Sequence, residues 1–166
     1  ASDVYKRQDL VNDATAATQT HWPALNERGC MNCHEPHAST QGELLRGTLL
    51  ETCGACHRDT VERQARAQTP HEPIAEGNCS TCHDPHGSNV AFMMDKPDLM
   101  DTCGQCHEWQ THSTHPIGEE VRDPRNENVS LDCLSCHRTH GTEFNKFLYT
   151  QEIKDLCVQC HQKFRR

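Results

Sequence analysis

The pentapeptide Cys79-Ser80-Thr81-Cys82-His83 decides how this chain folds, because its pattern, C-x-x-C-H, occurs six times within 166 residues. The other copies begin at Cys30, Cys53, Cys103, Cys133 and Cys157. All 12 cysteines of the chain lie in these pentads. Cysteines at positions i and i+3 lie on one side of a helical turn, and the histidine follows directly. Each pentad therefore presents two thiols and one imidazole to the same small volume.

Two thiols and an imidazole in this order form the attachment sequence for c-type haem. The thiols add to the two vinyl groups of one porphyrin edge, and the histidine becomes the proximal iron ligand. Zinc modules, the main alternative, do not need a histidine after every second cysteine, and disulfides would leave the spacing unexplained. We therefore predict six c-type haems (haem c). Their attachment residues are Cys30, Cys33, Cys53, Cys56, Cys79, Cys82, Cys103, Cys106, Cys133, Cys136, Cys157 and Cys160. Their proximal ligands are His34, His57, His83, His107, His137 and His161.

The chain is too poor in apolar residues for an ordinary core, since hydrophobic residues make up 34% of it and aromatic residues 5%. Such a composition alone indicates disorder or a stapled scaffold. Six haems would supply the missing apolar core, because each is a large, mostly apolar group that the polypeptide can wrap. We therefore predict a multihaem cytochrome c fold that is mainly irregular, with short α-helices and little or no sheet. Such a chain is not expected to fold without its cofactor.

The formal net charge of −8 limits the partners, and haem propionates add further negative charge. An acidic protein is unsuited to nucleic acid and to anionic membrane surfaces. A redox protein with a basic patch is the better electrostatic match. The sequence also contains no apolar run of 18 residues, so no transmembrane segment is expected.

The six pentads form three pairs, and the first cysteines within a pair are 23, 24 and 24 residues apart. The pairs themselves recur after 49 and 54 residues. This regularity is typical of a repeat protein. We predict an elongated array of three two-haem repeats, at residues 21–57, 71–107 and 115–161, within a single hexahaem domain that covers residues 21–166. The second pentads are expected in short helices, at about residues 49–68, 98–111 and 151–163.

Three further segments lie outside this pattern. Residues 119–129 lengthen the third repeat and are expected to form a surface loop. Residues 9–20 are interpreted as a linker or a short helix. The sequence DVYKRQ at residues 3–8 matches the translation of a transposon-end adaptor used in sequencing libraries, so residues 1–8 are interpreted as a scar. On this interpretation a signal peptide is missing from the fragment, and the natural N-terminus lies upstream.

Seven histidines remain outside the pentads, and six of them occupy equivalent places in the repeats. His37, His86 and His140 each lie three residues after the histidine of a first pentad, and His21, His71 and His115 each open a repeat. Six haems need six distal ligands, so we predict these six residues as the distal iron ligands. His112 is left over. Ligation by two histidines predicts low-spin irons of low potential.

The spacing also constrains the pairing of these histidines. His37 lies too close to His34 to reach the opposite face of the same porphyrin. We therefore expect His37 to ligate the second haem of its own repeat, and likewise His86 and His140. The histidine that opens each repeat is expected to serve the first haem of that repeat, with the preceding haem as the alternative.

The repeats resemble the doubled C-x-x-C-H cytochromes, whose motif runs C-x-x-C-H-x-P-H-G before a gap and a second pentad. Residues 79–87 (CSTCHDPHG) match this motif throughout, whereas the other repeats depart from it at Ala38-Ser39 and Thr139. The chain is similar to the C-terminal part of the periplasmic decahaem cytochromes that plug an outer-membrane porin, and to the pentahaem donors of nitrite reductase. The resemblance implies haems with two histidine ligands, arranged as a wire in the periplasm.

The predicted function is therefore electron transfer in periplasmic or extracellular respiration, by a carrier and not by an enzyme. Its partners are expected to be a redox-protein donor and acceptor, with an outer-membrane porin or a terminal reductase as candidates. A rival function is that of a multihaem reductase of nitrite, hydroxylamine or a sulfur oxyanion. Such enzymes need an open iron, often marked by a lysine in a pentad or by too few distal histidines, and neither mark occurs here. A subunit of an extracellular cytochrome filament is a second rival, and a zinc-binding module is a third.

Overall fold

The structure is a computed structural model that describes residues 2–108 and 117–165, with the backbone alone for residues 2–7. The helices in these residues are short, as the sequence predicts, apart from the first. They are α1 (Ser2–Ala16), α2 (Trp22–Leu25), α3 (Leu49–Gly54), α4 (Arg58–Ala65), α5 (Glu72–Ala75), α6 (Leu99–Gly104) and α7 (Ile153–Cys160).

The second pentad of each repeat begins in an α-helix, namely α3, α6 or α7. A capping box starts α3, because the Thr48 hydroxyl accepts the Glu51 N–H (3.2 Å) and the Glu51 carboxylate accepts the Thr48 N–H (2.8 Å). The prediction of one helix over residues 49–68 is wrong, because α3 ends at Gly54 and α4 begins at Arg58. The interruption falls at the pentad histidine, where the His57 N–H closes the last turn on the Cys53 carbonyl (2.9 Å).

The first pentad of each repeat begins in a 3₁₀ turn. A second 3₁₀ turn follows about ten residues later in each repeat. The first set is Gly29–Asn32, Cys79–Thr81 and Cys133–Ser135, and the second set is Gly42–Leu44, Ala91–Met93 and Asn145–Phe147. A further turn, Gln162–Phe164, follows α7.

Two small antiparallel sheets complete the secondary structure of the described residues. β1 (Gln19–Thr20) pairs with β2 (Gly87–Ser88), with Gln19 opposite Ser88. β3 (Gly118–Asp123) and β4 (Asn126–Leu131) form a hairpin. The predicted surface loop at 119–129 is therefore wrong, and the sheet content is higher than expected. The tight turn is stabilised by the Asp123 carboxylate, which accepts the Arg125 backbone N–H at 2.8 Å.

The backbone divides into two compact units, and each contains three pentads. The first unit comprises Ala1–His57 and Glu76–Asp98, and the second comprises Arg58–Ala75 and Leu99–Arg166. The boundary between the units falls inside the second sequence repeat, so the compact units do not consist of whole repeats. The array of three two-haem repeats in one domain stays a prediction.

The polypeptide buries little apolar surface of its own. In the part of the chain that the structure describes, the buried apolar side chains are Ala14, Met94 and Leu148, each 8–9% exposed. Met94 and Leu148 occupy equivalent places, each in a β-bridge with a first-pentad histidine, His83 or His137. No helix within the described ranges is both long and apolar enough to cross a lipid bilayer.

Candidate haem-binding sites

All six pentads share one backbone hydrogen bond. In each, the histidine N–H donates to the carbonyl of the first cysteine, one helical turn earlier, at 2.9–3.1 Å. This hydrogen bond closes one turn of helix, which places both cysteines on the same side and the histidine beside them. The geometry is the one that two thioether bonds to one porphyrin edge require.

In the part of the chain that the structure describes, three histidine pairs face one another at nearly the same distance. The ring centroids of His21 and His57 are 6.2 Å apart, those of His34 and His86 are 6.2 Å apart, and those of His71 and His107 are 6.3 Å apart. The two rings of a pair are within 19° of parallel. Every pair joins one pentad histidine to one of the histidines predicted as distal ligands.

This separation fits an iron between the two rings. A bond from imidazole nitrogen to a transition metal is about 2 Å long, and the nitrogen lies roughly 1 Å from the ring centroid, so two imidazoles on opposite faces of one iron have centroids about 6 Å apart. The distance alone also falls within the range of ordinary aromatic pairs. The decisive feature is that all three pairs combine a pentad histidine with a histidine outside the pentads.

The first pentad of each repeat fixes its histidine through the nitrogen that does not bind metal. Nδ1 of His34 lies 2.7 Å from the Glu43 carbonyl oxygen, Nδ1 of His83 lies 2.9 Å from that of Phe92, and Nδ1 of His137 lies 2.8 Å from that of Lys146. A carbonyl can only accept, so Nδ1 carries the proton and donates. Nε2 is thereby left as the lone-pair nitrogen for iron.

These carbonyls are presented by a strained backbone that the sequence analysis missed. Glu43, Phe92 and Lys146 have φ values of 53°, 60° and 56°, in the left-handed region, and the residue after each also has positive φ. The left-handed conformation costs a non-glycine residue roughly 1–2 kcal/mol. Strain of this kind is retained where function requires it. The only signal in the sequence is a shared interval of nine residues after each first-pentad histidine.

The distal histidines are held less uniformly. Nδ1 of His21 lies 2.6 Å from the Pro85 carbonyl oxygen, which again assigns Nε2 to the metal side. His86 has the Asp84 carboxylate 3.5 Å from its Nδ1. His71 is half-buried, and burial followed by the neighbouring His107 lowers the pKa of its imidazole. A lowered pKa favours the neutral ring, which is the form that ligates metals.

The predicted pairing of distal histidines with haems is wrong in two respects. His21 and His71 each face the histidine of the second pentad of their own repeat, not that of the first. His86 faces His34, in the preceding repeat, and not the second haem of its own repeat. The reason is the pairing of β2 with β1, which draws the loop after His83 back onto the beginning of the first repeat.

The other predicted distal ligands lie in different surroundings. His37 is exposed, and no other imidazole of the described residues is stacked on it. His140 makes contacts in the structure, and its role as a distal ligand stays a prediction. His115 and the surplus His112 lie outside the described residues.

Neighbouring pentads touch within the first unit. The sulfurs of Cys53 and Cys79 are hydrogen bonded, which raises the pKa of Cys53 and lowers the pKa of Cys79 to about 6. Burial raises the pKa of Cys33, and the nearby thiol of Cys56 raises it further. Helix α3 also packs closely on Gly77, where an added Cβ would lie 2.8 Å from the Leu50 Cβ. The first three attachment sites are therefore neighbours.

Pentads also touch within the second unit. Met100, in α6 beside the fourth pentad, places its sulfur 4.0 Å from the Cys133 sulfur of the fifth. Arg125, in the hairpin turn, donates both to the Ser135 carbonyl inside the fifth pentad (3.0 Å) and to the Gln159 side chain inside the sixth (2.9 Å). The last three attachment sites are thus linked as well.

Comparison with protein families gives a direct match. The model of the doubled CXXCH motif matches residues 21–62, 71–112 and 126–166, which together make up most of the chain. The chain belongs to the doubled CXXCH family. A curated relative of this doubled CXXCH protein is the multiheme cytochrome MtrA of Shewanella baltica (strain OS185), which is 34% identical over 121 residues. That alignment covers 68% of the chain but 34% of MtrA, so the chain spans about a third of the length of this relative.

The family assignment confirms the predicted cofactors. Three doubled motifs provide six sites for c-type haem, so the doubled CXXCH protein is a multihaem c-type cytochrome. A zinc site would need three or four ligands around one point. Within residues 2–108 and 117–165, no group of three or more histidine, cysteine, aspartate or glutamate side chains is arranged to hold a metal ion in that way.

Proposed function

We propose that this cytochrome is an electron carrier whose six haems each have two histidine ligands and together form a wire. The facing histidine pairs are the observation that carries the proposal. Three irons placed between them would have both axial positions filled by protein. A saturated iron exchanges electrons but has no position for a substrate, which favours a carrier over a reductase.

The proposed roles follow the pentads and the repeats. Both cysteines of every pentad, from Cys30 to Cys160, attach haem, and the histidine that follows them is the proximal ligand. His21, His71 and His86 are proposed as distal ligands on the basis of their ring pairs. His115 and His140 are proposed on the basis of their equivalent places in the sequence. His112, the remaining histidine in this half of the chain, is proposed for the sixth haem.

In this function the polypeptide holds the haems, orients their axial ligands and shields the haems from solvent. Bound haem supplies reversible one-electron chemistry at iron. The carbonyls of Glu43, Phe92 and Lys146 orient three proximal imidazoles and increase their basicity. The contacts between consecutive pentads keep successive attachment sites at fixed separations within each unit, which supports the proposed wire.

The proposed setting is periplasmic or extracellular respiration. The acidic surface, with a formal net charge of −8, fits a donor and an acceptor that present basic patches. A redox protein is proposed as donor and another as acceptor. The resemblance of the motifs to porin-plugging cytochromes makes an outer-membrane porin a candidate partner, with a terminal reductase as the second.

Spectroscopy of the mature protein tests the proposal directly. The mass should exceed that of the polypeptide by six haems, and the ferric protein should show low-spin signals alone in electron paramagnetic resonance. The ferrous protein should not bind carbon monoxide. A high-spin signal equivalent to one haem, with carbon monoxide bound in the same proportion, would instead support a reductase.

A further inference from the structure

His37 occupies the same place in its repeat as His86, and the two loops have the same construction. The histidine at the start of each loop donates Nδ1–H to a carbonyl nine residues later, at 2.7 Å for His34 and 2.9 Å for His83. Within each loop a serine hydroxyl accepts a backbone N–H two residues on, Ser39 from Gln41 (2.9 Å) and Ser88 from Val90 (3.0 Å). The two imidazoles are therefore carried by equivalent scaffolds.

The surroundings of the two imidazoles differ. His86 stacks at 6.2 Å on His34, which belongs to the first pentad of the preceding repeat. If His37 likewise ligates the first haem of the preceding repeat, that haem belongs to a repeat before residue 21. It is then none of the six haems of this chain. Consistent with this, His37 is exposed, and it has no stacked imidazole among the residues described.

The residue after each histidine gives a second difference. Gly87 and Gly141 have positive φ and touch the segment that precedes a repeat, because an added Cβ would lie 3.0 Å from the Gln19 carbonyl or from Ala67. In the first repeat this position is Ala38, which is exposed and has no positive φ. The first loop therefore lacks the glycine that lets the other two loops pack closely against a neighbouring segment. It shares the histidine with them.

We propose that His37 is an axial ligand for a c-type haem iron that lies outside the six pentads of this chain. The haem would belong either to a preceding doubled motif of a longer polypeptide or to a second copy of the protein. The inference rests on the two-histidine ligation proposed above.

The first experiment asks whether any of the six haems uses His37. In the mature hexahaem chain, His86→Ala should convert one iron in six to the high-spin form that binds carbon monoxide, and His37→Ala should convert none. If His37→Ala produces a high-spin iron, His37 serves one of the six haems and the inference is wrong. If His86→Ala produces none, the two-histidine ligation itself is wrong.

The second experiment uses a probe, a haem peptide with one C-x-x-C-H pentad and a vacant sixth position. The chain should convert the ferric probe from high to low spin at a ratio of one to one, with an affinity at least tenfold above that of N-acetylhistidine amide. His37→Ala should abolish this conversion. An affinity no better than that of the free amino-acid derivative, or one unchanged in His37→Ala, would overturn the proposal.

The matched control moves the imidazole by three residues within the same exposed loop. The double variant His37→Ala with Thr40→His keeps an exposed histidine but displaces it, so it should not restore tight binding. Full restoration would show that any exposed histidine suffices, and the proposal would fail.

Sedimentation velocity separates the two sources of haem. Self-association that His37→Ala abolishes indicates a second copy, and a monomer at all concentrations indicates a preceding motif.

Discussion

At the residue scale, the first-pentad histidines show how the backbone can orient an iron ligand. The Nδ1 proton of His34, His83 and His137 is directed to a carbonyl, and this leaves Nε2 as the acceptor nitrogen. The carbonyl is available because two consecutive residues adopt left-handed φ, at a cost of roughly 1–2 kcal/mol each. Ligand orientation is thus obtained from backbone strain.

The identity of the distal ligand should set the potential of one haem at a time. His21→Met would place a thioether where the imidazole faces His57. Methionine in place of histidine raises the reduction potential of a haem. A potentiometric titration followed in the visible spectrum should show one haem in six shifted upward and the others nearly unchanged. An unchanged titration curve would show that His21 does not ligate iron.

A glycine beside the third pentad should be intolerant of substitution. Gly77 has a φ of +81°, and an added Cβ would lie 2.8 Å from the Leu50 Cβ of helix α3. Gly77→Ala should therefore destabilise the holoprotein by about 1–3 kcal/mol in denaturant unfolding followed at the Soret band. The control is Gly42→Ala, where nothing lies within 4 Å of the new atom and the φ is ordinary. Equal effects of the two substitutions would contradict this account.

At the scale of elements, the hairpin of β3 and β4 is an insertion that binds two pentads together. Asp123 is 4% exposed, and its carboxylate accepts hydrogen bonds from the Arg125 guanidinium. The same guanidinium reaches the Ser135 carbonyl and the Gln159 side chain, which lie in the fifth and sixth pentads. The turn of the hairpin therefore connects two haem attachment sites that are 24 residues apart in the chain.

Removing the guanidinium should loosen this connection. Arg125→Ala leaves the buried Asp123 carboxylate without its charged partner and should cost about 1.5–3 kcal/mol of the free energy of unfolding. Arg122→Ala in the same hairpin is the control, since the hydrogen bond from its side chain to the Ser130 hydroxyl is long at 3.5 Å. Guanidinium chloride unfolding of both variants measures the difference. If Arg122→Ala lowers the free energy of unfolding as much as Arg125→Ala does, the hydrogen bonds of Arg125 to the two pentads do not stabilise the protein.

The ion pair also predicts the direction of a pH effect. The Arg125 side chain lowers the pKa of Asp123 below its unfolded value, which is about 3.9. The stability that Asp123 contributes is therefore fully present above pH about 4, and it is lost as the pH falls through the lower folded pKa. The difference in unfolding free energy between the wild type and Asp123→Asn should be constant near neutrality and shrink in acid. A difference that grew in acid would contradict this sign.

At the scale of the whole molecule, the main feature is how little the polypeptide buries. Ala14, Met94 and Leu148 are the buried apolar side chains of the described residues, far too few to offset the loss of chain entropy. The family match supplies six haems, and these provide the missing apolar surface. Folding and haem attachment are therefore expected to be linked.

The chain should remain unfolded when haem attachment is prevented. Production without the attachment machinery should give a polypeptide with a disordered far-ultraviolet circular dichroism spectrum and no cooperative unfolding transition. Removing a single site, with Cys79→Ala and Cys82→Ala together, should cost one haem by mass and lower the unfolding midpoint of the remaining pentahaem protein. A cooperative transition in the haem-free chain would show that the polypeptide has a core of its own.

The sequence predicted the features that depend on local spacing. Thiols three residues apart and a histidine directly after them are brought together by one turn of backbone, whatever surrounds that turn, so the six haem sites could be recognised without a structure. The helices at the second pentads were predictable for the same reason. The capping box of Thr48 and Glu51 has a local signature as well, the T-x-x-E spacing.

The tertiary structure alone decided which histidines meet. The assignment of His86 to His34 depends on the pairing of β1 with β2, two-residue strands whose sequences carry no pattern strong enough to predict them. The hairpin at 118–131 and the left-handed loops depend likewise on contacts with pentads distant in the chain. Pentad chemistry is local and therefore readable from spacing, whereas axial pairing joins residues tens of positions apart and is fixed only by the folded path of the backbone.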